Sequence, residues 1–158
     1  MHVGVIGLGN PLRGDDGIGI VLLQRIQAKK KPAWREIEFI DGGTGGLSLV
    51  HDLARFTHVL IIDAIDFQGL PGEHHIFVAS DFLSSRKPPQ TLSTHEPGLA
   101  EVLRLAAQMN TLPGVVKIFG VQPASLTYKT GLSDSVTGQV DALTRSLSWL
   151  LDRLPRLR

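Results

Sequence analysis

Short apolar runs alternating with segments of helical spacing constrain this chain more than any other feature. Residues 3–8 (VGVIGL), 58–63 (HVLIID) and 115–121 (VVKIFGV) are nearly continuous apolar stretches, the pattern of strands covered on both faces. A further strand, 36–41 (EIEFID), ends at Asp41. Between the runs, apolar side chains recur at helical spacing. Ile18, Val21, Leu22 and Ile26 mark a helix over 16–28, a second follows over 47–55, and Leu99, Val102, Leu103 and Ala106 mark a third. Either Asp15 or Asp16 suits the cap of the first helix, and Pro97 suits the first position of the third. A last helix is expected from Ser133, with Val136, Val140, Leu143, Leu147, Leu151 and Leu154 on one face. The alternation predicts an α/β three-layer sandwich, a twisted and mostly parallel five-stranded sheet flanked by helices. The strand at 74–79 (HHIFVA) follows its predecessor too closely for a parallel crossover, so it is expected to be antiparallel.

A length of 158 residues suits one domain spanning 1–158, with a core large enough to need no staples. No cysteine is present, which excludes disulfides and thiolate chemistry. The net charge of +1 gives no nucleic-acid footprint. No stretch approaches the ~20 apolar residues of a membrane span, and the N-terminal apolar run breaks into glycines too early for a signal peptide. The expectation is a soluble cytoplasmic protein with neither nucleic acid nor membrane as partner.

Acids stand where ligands bind in open α/β sheets, outside the carboxyl ends of the strands. The loop after the first strand, 7–19 (GLGNPLRGDDGIG), carries Asp15 and Asp16; Asp41 ends the second strand and Asp63 the third. The glycines of that loop resemble half of a dinucleotide fingerprint, but Leu12 stands where the third glycine belongs. A pyrophosphate there would also face two aspartates. Carboxylates gathered at one sheet edge suit a cation, and a histidine would complete a mixed oxygen and nitrogen site fit for zinc, nickel or a similar ion. His95 is the best placed of the six histidines. It precedes a helix whose positive end disfavours imidazolium, and a metal needs the neutral ring. Each residue also has a local reading. Asp15 or Asp16 can cap a helix, Asp41 and Asp63 can close turns, and His95 can be an ordinary satisfied polar group.

Taken together, GLGNPLRGDDGIG, DGGTGG, IIDAID, STHEPGL and GVQP resemble in order and spacing the hydrogenase maturation proteases, over about residues 3–140. These endopeptidases trim the C-terminal extension from the large subunit of nickel–iron hydrogenases. The resemblance implies a sheet flanked by helices and a metal held by Asp16, Asp63 and His95. The family accepts Asp or Glu at the first of these positions. Asp41, in DGGTG, matches another family position and is given a supporting catalytic role. The resemblance further implies that nickel arrives in the large-subunit precursor and is what the protease recognises, while zinc or cadmium can occupy the same site. No HExxH helix supplies a glutamate base, which leaves Asp41 or Asp15 as candidate base or orienting group. The polar stretch 84–94, with two adjacent prolines, reads as a long loop that either shapes a groove for the precursor tail or merely connects. Besides a related peptidase acting on precursors of a spore or coenzyme-F420 system, two other readings remain. One is a peptidyl-tRNA-hydrolase-like enzyme, whose first loop is similar but continues differently. The other is a metal-sensing module for hydrogenase assembly that binds without cutting.

Overall fold

The structure, a computed structural model, describes residues 1–91, 98–124, 126–127 and 129–157. The strands are β1 (Val3–Gly7), β2 (Ile37–Asp41), β3 (His58–Asp66), β4 (His74–Val78), β5 (Gln90–Thr91) and β6 (Val115–Val121). The helices are α1 (Ile18–Ala28), α2 (Leu47–Leu53), α3 (Ala79–Leu83), α4 (Leu99–Gln108), α5 (Asp134–Thr137) and α6 (Val140–Leu151). Five strands lie in the order β2-β1-β3-β6-β4, and the two-residue β5 pairs with the end of β3. Strands β2, β1, β3 and β6 are parallel, and β4 runs antiparallel to β6, as its short connection requires.

Strand β3 shows why the sheet is central. Leu60, Ile62 and Ala64 join the core beneath α1 and α6, while Val59, Ile61 and Ile65 join the core beneath α2, α3 and α4. Both faces are covered, so the strand is apolar on both. By the same alternation Asp63 belongs to the face of Ile61 and Ile65.

The local outcome departs from expectation in four places. Neither Asp15 nor Asp16 caps α1. They sit in a 3-10 turn, Gly14–Gly17, and Gly17 is the N-cap with no side-chain cap bond. The long C-terminal helix is broken at Gly138 into α5 and α6, with the Ser133 hydroxyl accepting the Val136 N–H at the start of α5. The strand predicted over 74–79 gives way at Ala79 to α3, where the Asp81 carboxylate accepts the Val78 N–H at 2.8 Å. The polar 84–94 stretch contains β5 at its described end. Pro97, expected at the first position of the third helix, and residues 92–94 of the polar stretch lie outside the described residues.

The first loop is held tight by glycines. A Cβ on Gly19 would lie 2.1 Å from the Leu8 carbonyl oxygen and 2.4 Å from that of Ile62. Gly9 has φ +138°, and its Cβ would fall 1.8 Å from the Asp16 carbonyl oxygen. Helix propensity alone favours Ala over Gly by about 1 kcal/mol. At Gly19 the backbone clash reverses that sign, and Gly19→Ala is expected to lose about 3 kcal/mol or more. Urea unfolding of the variant checks this; unchanged stability would mean that α1 does not approach β1 and β3 as closely as described.

Candidate acid site

Three parallel strand ends are laced together before any functional side chain appears. The Leu8 N–H donates to the Ile62 carbonyl (2.8 Å), the Gly42 N–H to that of Gly7 (2.8 Å), and the Gly9 N–H to that of Gly43 (2.7 Å). The loop after β1 therefore folds back over the carboxyl ends of β1, β2 and β3. Its 3-10 turn drives two neighbouring aspartates inward, and both are fully buried at 0% exposure.

Those neighbours have different duties. Asp15 accepts hydrogen bonds from the Ala124 N–H (2.8 Å), the Ser133 N–H (2.7 Å) and the Ser133 hydroxyl (2.8 Å). It ties the chain after β6 and the start of α5 to the site loop. Asp16 uses one oxygen, Oδ2, to accept the Asn10 N–H at 2.8 Å. Its Oδ1 is buried with no hydrogen-bond partner. A buried carboxylate oxygen left in that state is costly, of order 1–3 kcal/mol, and marks a position where a ligand fits.

Asp63, 3% exposed, is the second member of the site. Its Oδ1 accepts the Ala64 N–H at 2.8 Å. Its pKa is raised from 3.8 to about 8, by burial first and by the nearby Asp16 carboxylate second, against the opposing pull of the Ala64 N–H. Burial and the neighbouring carboxylate together favour the neutral form of Asp63 in the absence of a cation.

Asp41 is exposed and stands at the end of β2 opposite Gly7, its Oδ1 accepting the Gly43 N–H at 2.9 Å in a tight turn. One strand, β1, separates it from β3, so two strand spacings, about 10 Å, lie between the backbones bearing Asp41 and Asp63. The structure thus brings Asp16 and Asp63 together and sets Asp41 to the side. His95 lies outside the described residues. Among the described residues no group of three His, Asp or Glu side chains is gathered closely enough to hold a metal.

The described histidines face elsewhere. His58 starts β3, at the end opposite Asp63, and its Nε2 is 2.9 Å from the Leu157 carbonyl oxygen. His74 stacks on Phe119 with ring centroids 4.7 Å apart, while His75 turns toward Phe67 and Phe77.

Gln122 is a site-shaping residue to which the sequence reading gave no role. Its Oε1 accepts the Phe67 and Gly69 N–H groups (2.9 and 3.0 Å), and its Nε2 donates to the Asp66 carboxylate at 3.1 Å. It fixes the chain leaving β3 just past Asp63. A polar residue directly after the apolar run of β6 was the available signal, the same that singled out the acids.

A three-layer α/β domain with a buried pair of interacting carboxyls at the carboxyl edge of its sheet is a dicarboxylate-site protein. A sequence profile described as HycI, hydrogenase maturation protease, matches residues 20–148, and the chain belongs to the hydrogenase maturation protease family. The hydrogenase 2 maturation protease of Escherichia coli (strain K12) is 30% identical over 163 residues, covering 99% of this chain and 97% of that protein. The hydrogenase expression/formation protein HoxM of Cupriavidus necator is 32% identical over 152 residues, covering 89% of this chain and 73% of that protein. Among solved structures, the hydrogenase maturating endopeptidase HybD from E. coli superimposes with a TM-score of 0.80 at 28% identity, covering 96% of this chain and 92% of that one. Family membership displaces the peptidyl-tRNA-hydrolase-like reading.

Proposed function

We propose that this protein is the cytoplasmic endopeptidase that removes the C-terminal extension from a nickel–iron hydrogenase large-subunit precursor, and that it recognises the nickel already seated in that precursor. The supporting observation is the state of the acid pair: Asp16 Oδ1 is buried and open, and Asp63 keeps a proton at neutral pH. Both features are unfavourable in the substrate-free protein, and both are relieved when a divalent cation replaces the proton on Asp63. Two carboxylates and one imidazole suit a borderline ion such as nickel and leave positions open for the substrate's own ligands. Zinc or cadmium suits the same donors.

His95 is assigned as the third ligand. The chain on either side of it supports this. At one end, Thr91 pairs with Ile65, two residues beyond Asp63. At the other, Gly98 caps α4, whose Leu99, Val102 and Leu103 pack in the same core as Ile61 and Ile65. Asp63 belongs to that face, and four residues from Thr91 reach up to about 14 Å.

In this reading Asp16, Asp63 and His95 would hold an ion that would supply Lewis-acid polarisation of the scissile carbonyl and a more acidic water. The protein's own part is positional. The Asn10 N–H holds Asp16 with its free oxygen turned into the site, and Asp15 pins the 124–133 segment beside it. Asp63 gives up its proton on loading and shares the ionic charge with Asp16. Asp41, exposed at the end of β2, is assigned a supporting role at the substrate rather than at the ion.

The test is intact-mass measurement of a large-subunit precursor incubated with the purified protein. The nickel-loaded precursor is expected to lose its C-terminal extension, and the nickel-free form to stay intact. His95→Ala is expected to process neither. Normal processing by His95→Ala would contradict the ligand assignment, and nickel-dependent binding without any mass loss would identify a metal-sensing module instead.

A further inference from the structure

A groove of about 440 Å³ lies between β4, α3 and the stretch leading into β5, lined by His75, Phe77, Ser80, Ser84, Lys87 and Pro89. We propose that this groove is an exosite for the precursor's C-terminal extension, taking one apolar side chain against the ring row Phe67–His75–Phe77 and one acidic group at Lys87. The inference rests on the endopeptidase reading and names where its substrate's tail is gripped.

Three observations place it. The groove opens on the face of the sheet to which Asp63 belongs, because Phe77 packs in the same core as Ile61 and Ile65. Its far wall is continuous with the acid site: the stretch bearing Ser84, Lys87 and Pro89 runs directly into β5, which pairs with Ile65 and Asp66. The floor is aromatic, and its rings adjoin Phe67 at the end of β3. The His75 and Phe77 rings are 4.5 Å apart, and Phe67, the first residue after β3, lies 6.0 Å from His75 and 6.1 Å from Phe77. Such rings give a large apolar contact at small entropic cost.

Charge and spacing decide the occupant. Lys87 is an exposed cation lining the groove, and its neighbour in sequence, Arg86, is exposed too. The groove's acid, Asp81, already has one oxygen committed to the Val78 N–H. An acidic side chain or a terminal carboxylate is therefore favoured there over a basic one. Strand β4 is two strands away from β3, about 10 Å, which an extended peptide covers in about three residues. A chain cut beside Asp63 thus reaches the groove with a residue a few positions from the scissile bond. Residues this far from the reacting atoms hold the substrate and do not touch the bond that breaks.

Steady-state cleavage of nickel-loaded precursor by the unaltered protein, by Lys87→Glu and by Ser84→Trp tests the exosite. Both substituted side chains are exposed in the native fold, and Trp at 84 fills the groove. The expected result is a KM raised about tenfold in each variant with kcat within about twofold, and recovery of the Lys87→Glu defect by a precursor whose tail acid is replaced by lysine. An unchanged KM in both variants would overturn the exosite while leaving the endopeptidase reading in place. Absence of cleavage by the unaltered protein would overturn that reading and the exosite with it.

Discussion

Replacing Asp63 by Asn is expected to abolish precursor processing and, at the same time, to make the metal-free protein harder to unfold. Loss of a carboxylate ligand removes one of the charges that hold the ion, and a fall of at least about a thousandfold in turnover is expected. Stability moves the other way because the native state holds Asp63 in an unfavourable condition. Its pKa stands at about 8 in the fold against 3.8 for the free side chain. The unfolded chain therefore releases this proton near pH 4 while the native protein keeps it to about pH 8. The contribution of Asp63 to stability falls as pH rises through that window and is flat above it. Linkage sets the ceiling at about 1.4 kcal/mol per pH unit. Asn has no charge to desolvate, keeps an oxygen for the Ala64 N–H, and offers its amide to the open Asp16 oxygen. A gain of about 2 kcal/mol at pH 7 is expected, shrinking toward zero near pH 4. Denaturant unfolding of both proteins across pH 4–8 measures it. A destabilised Asp63→Asn protein at neutral pH would show that Asp63 is a structural hydrogen-bonding residue and not a strained ligand.

Metal affinity of the substrate-free protein should depend steeply on pH for the same reason. Below about pH 8 an incoming ion must displace the proton on Asp63. Binding that releases one proton strengthens about tenfold per pH unit. Cadmium or nickel is accordingly expected to bind about a hundredfold more tightly at pH 8 than at pH 6, with little further gain above. Calorimetric titration in buffers of different ionisation enthalpy counts the proton directly. In Asp63→Asn that proton should vanish from the count. An affinity that does not change across this range would separate the ion site from Asp63.

Much of this was legible in the sequence, and the failures have physical causes. The apolar runs of β1, β3 and β6 announced strands covered on both faces, and the short link before β4 announced its reversed direction. The polar residues that interrupt or follow these runs located the functional edge, although Asp63, expected to end β3, lies within it because the strand continues to Asp66 alongside β6 and β5. What escaped detection was decided by contacts distant in sequence. Strand β5 is only two residues long and exists because the end of β3 offers it a partner. Helix α3 starts within what reads as a strand because Asp81 takes the Val78 N–H. The two acids of the GDDG turn are indistinguishable as letters. Only the fold shows that Asp15 is saturated by Ala124 and Ser133, more than a hundred residues away, while Asp16 keeps an oxygen open. The pairing of Asp16 with Asp63 followed from sheet topology. The choice of His95 over the other histidines rested on its position ahead of α4 and on family resemblance.

The account depends on a common point reached by Asp16, Asp63 and His95. The most direct measurement is the anomalous scattering from crystals of the protein loaded with cadmium. The account predicts one strong peak bonded by a carboxylate oxygen from Asp16, another from Asp63, and an imidazole nitrogen of His95. A peak held by other residues, or Asp16 and Asp63 free of any ion in saturated crystals, would contradict it.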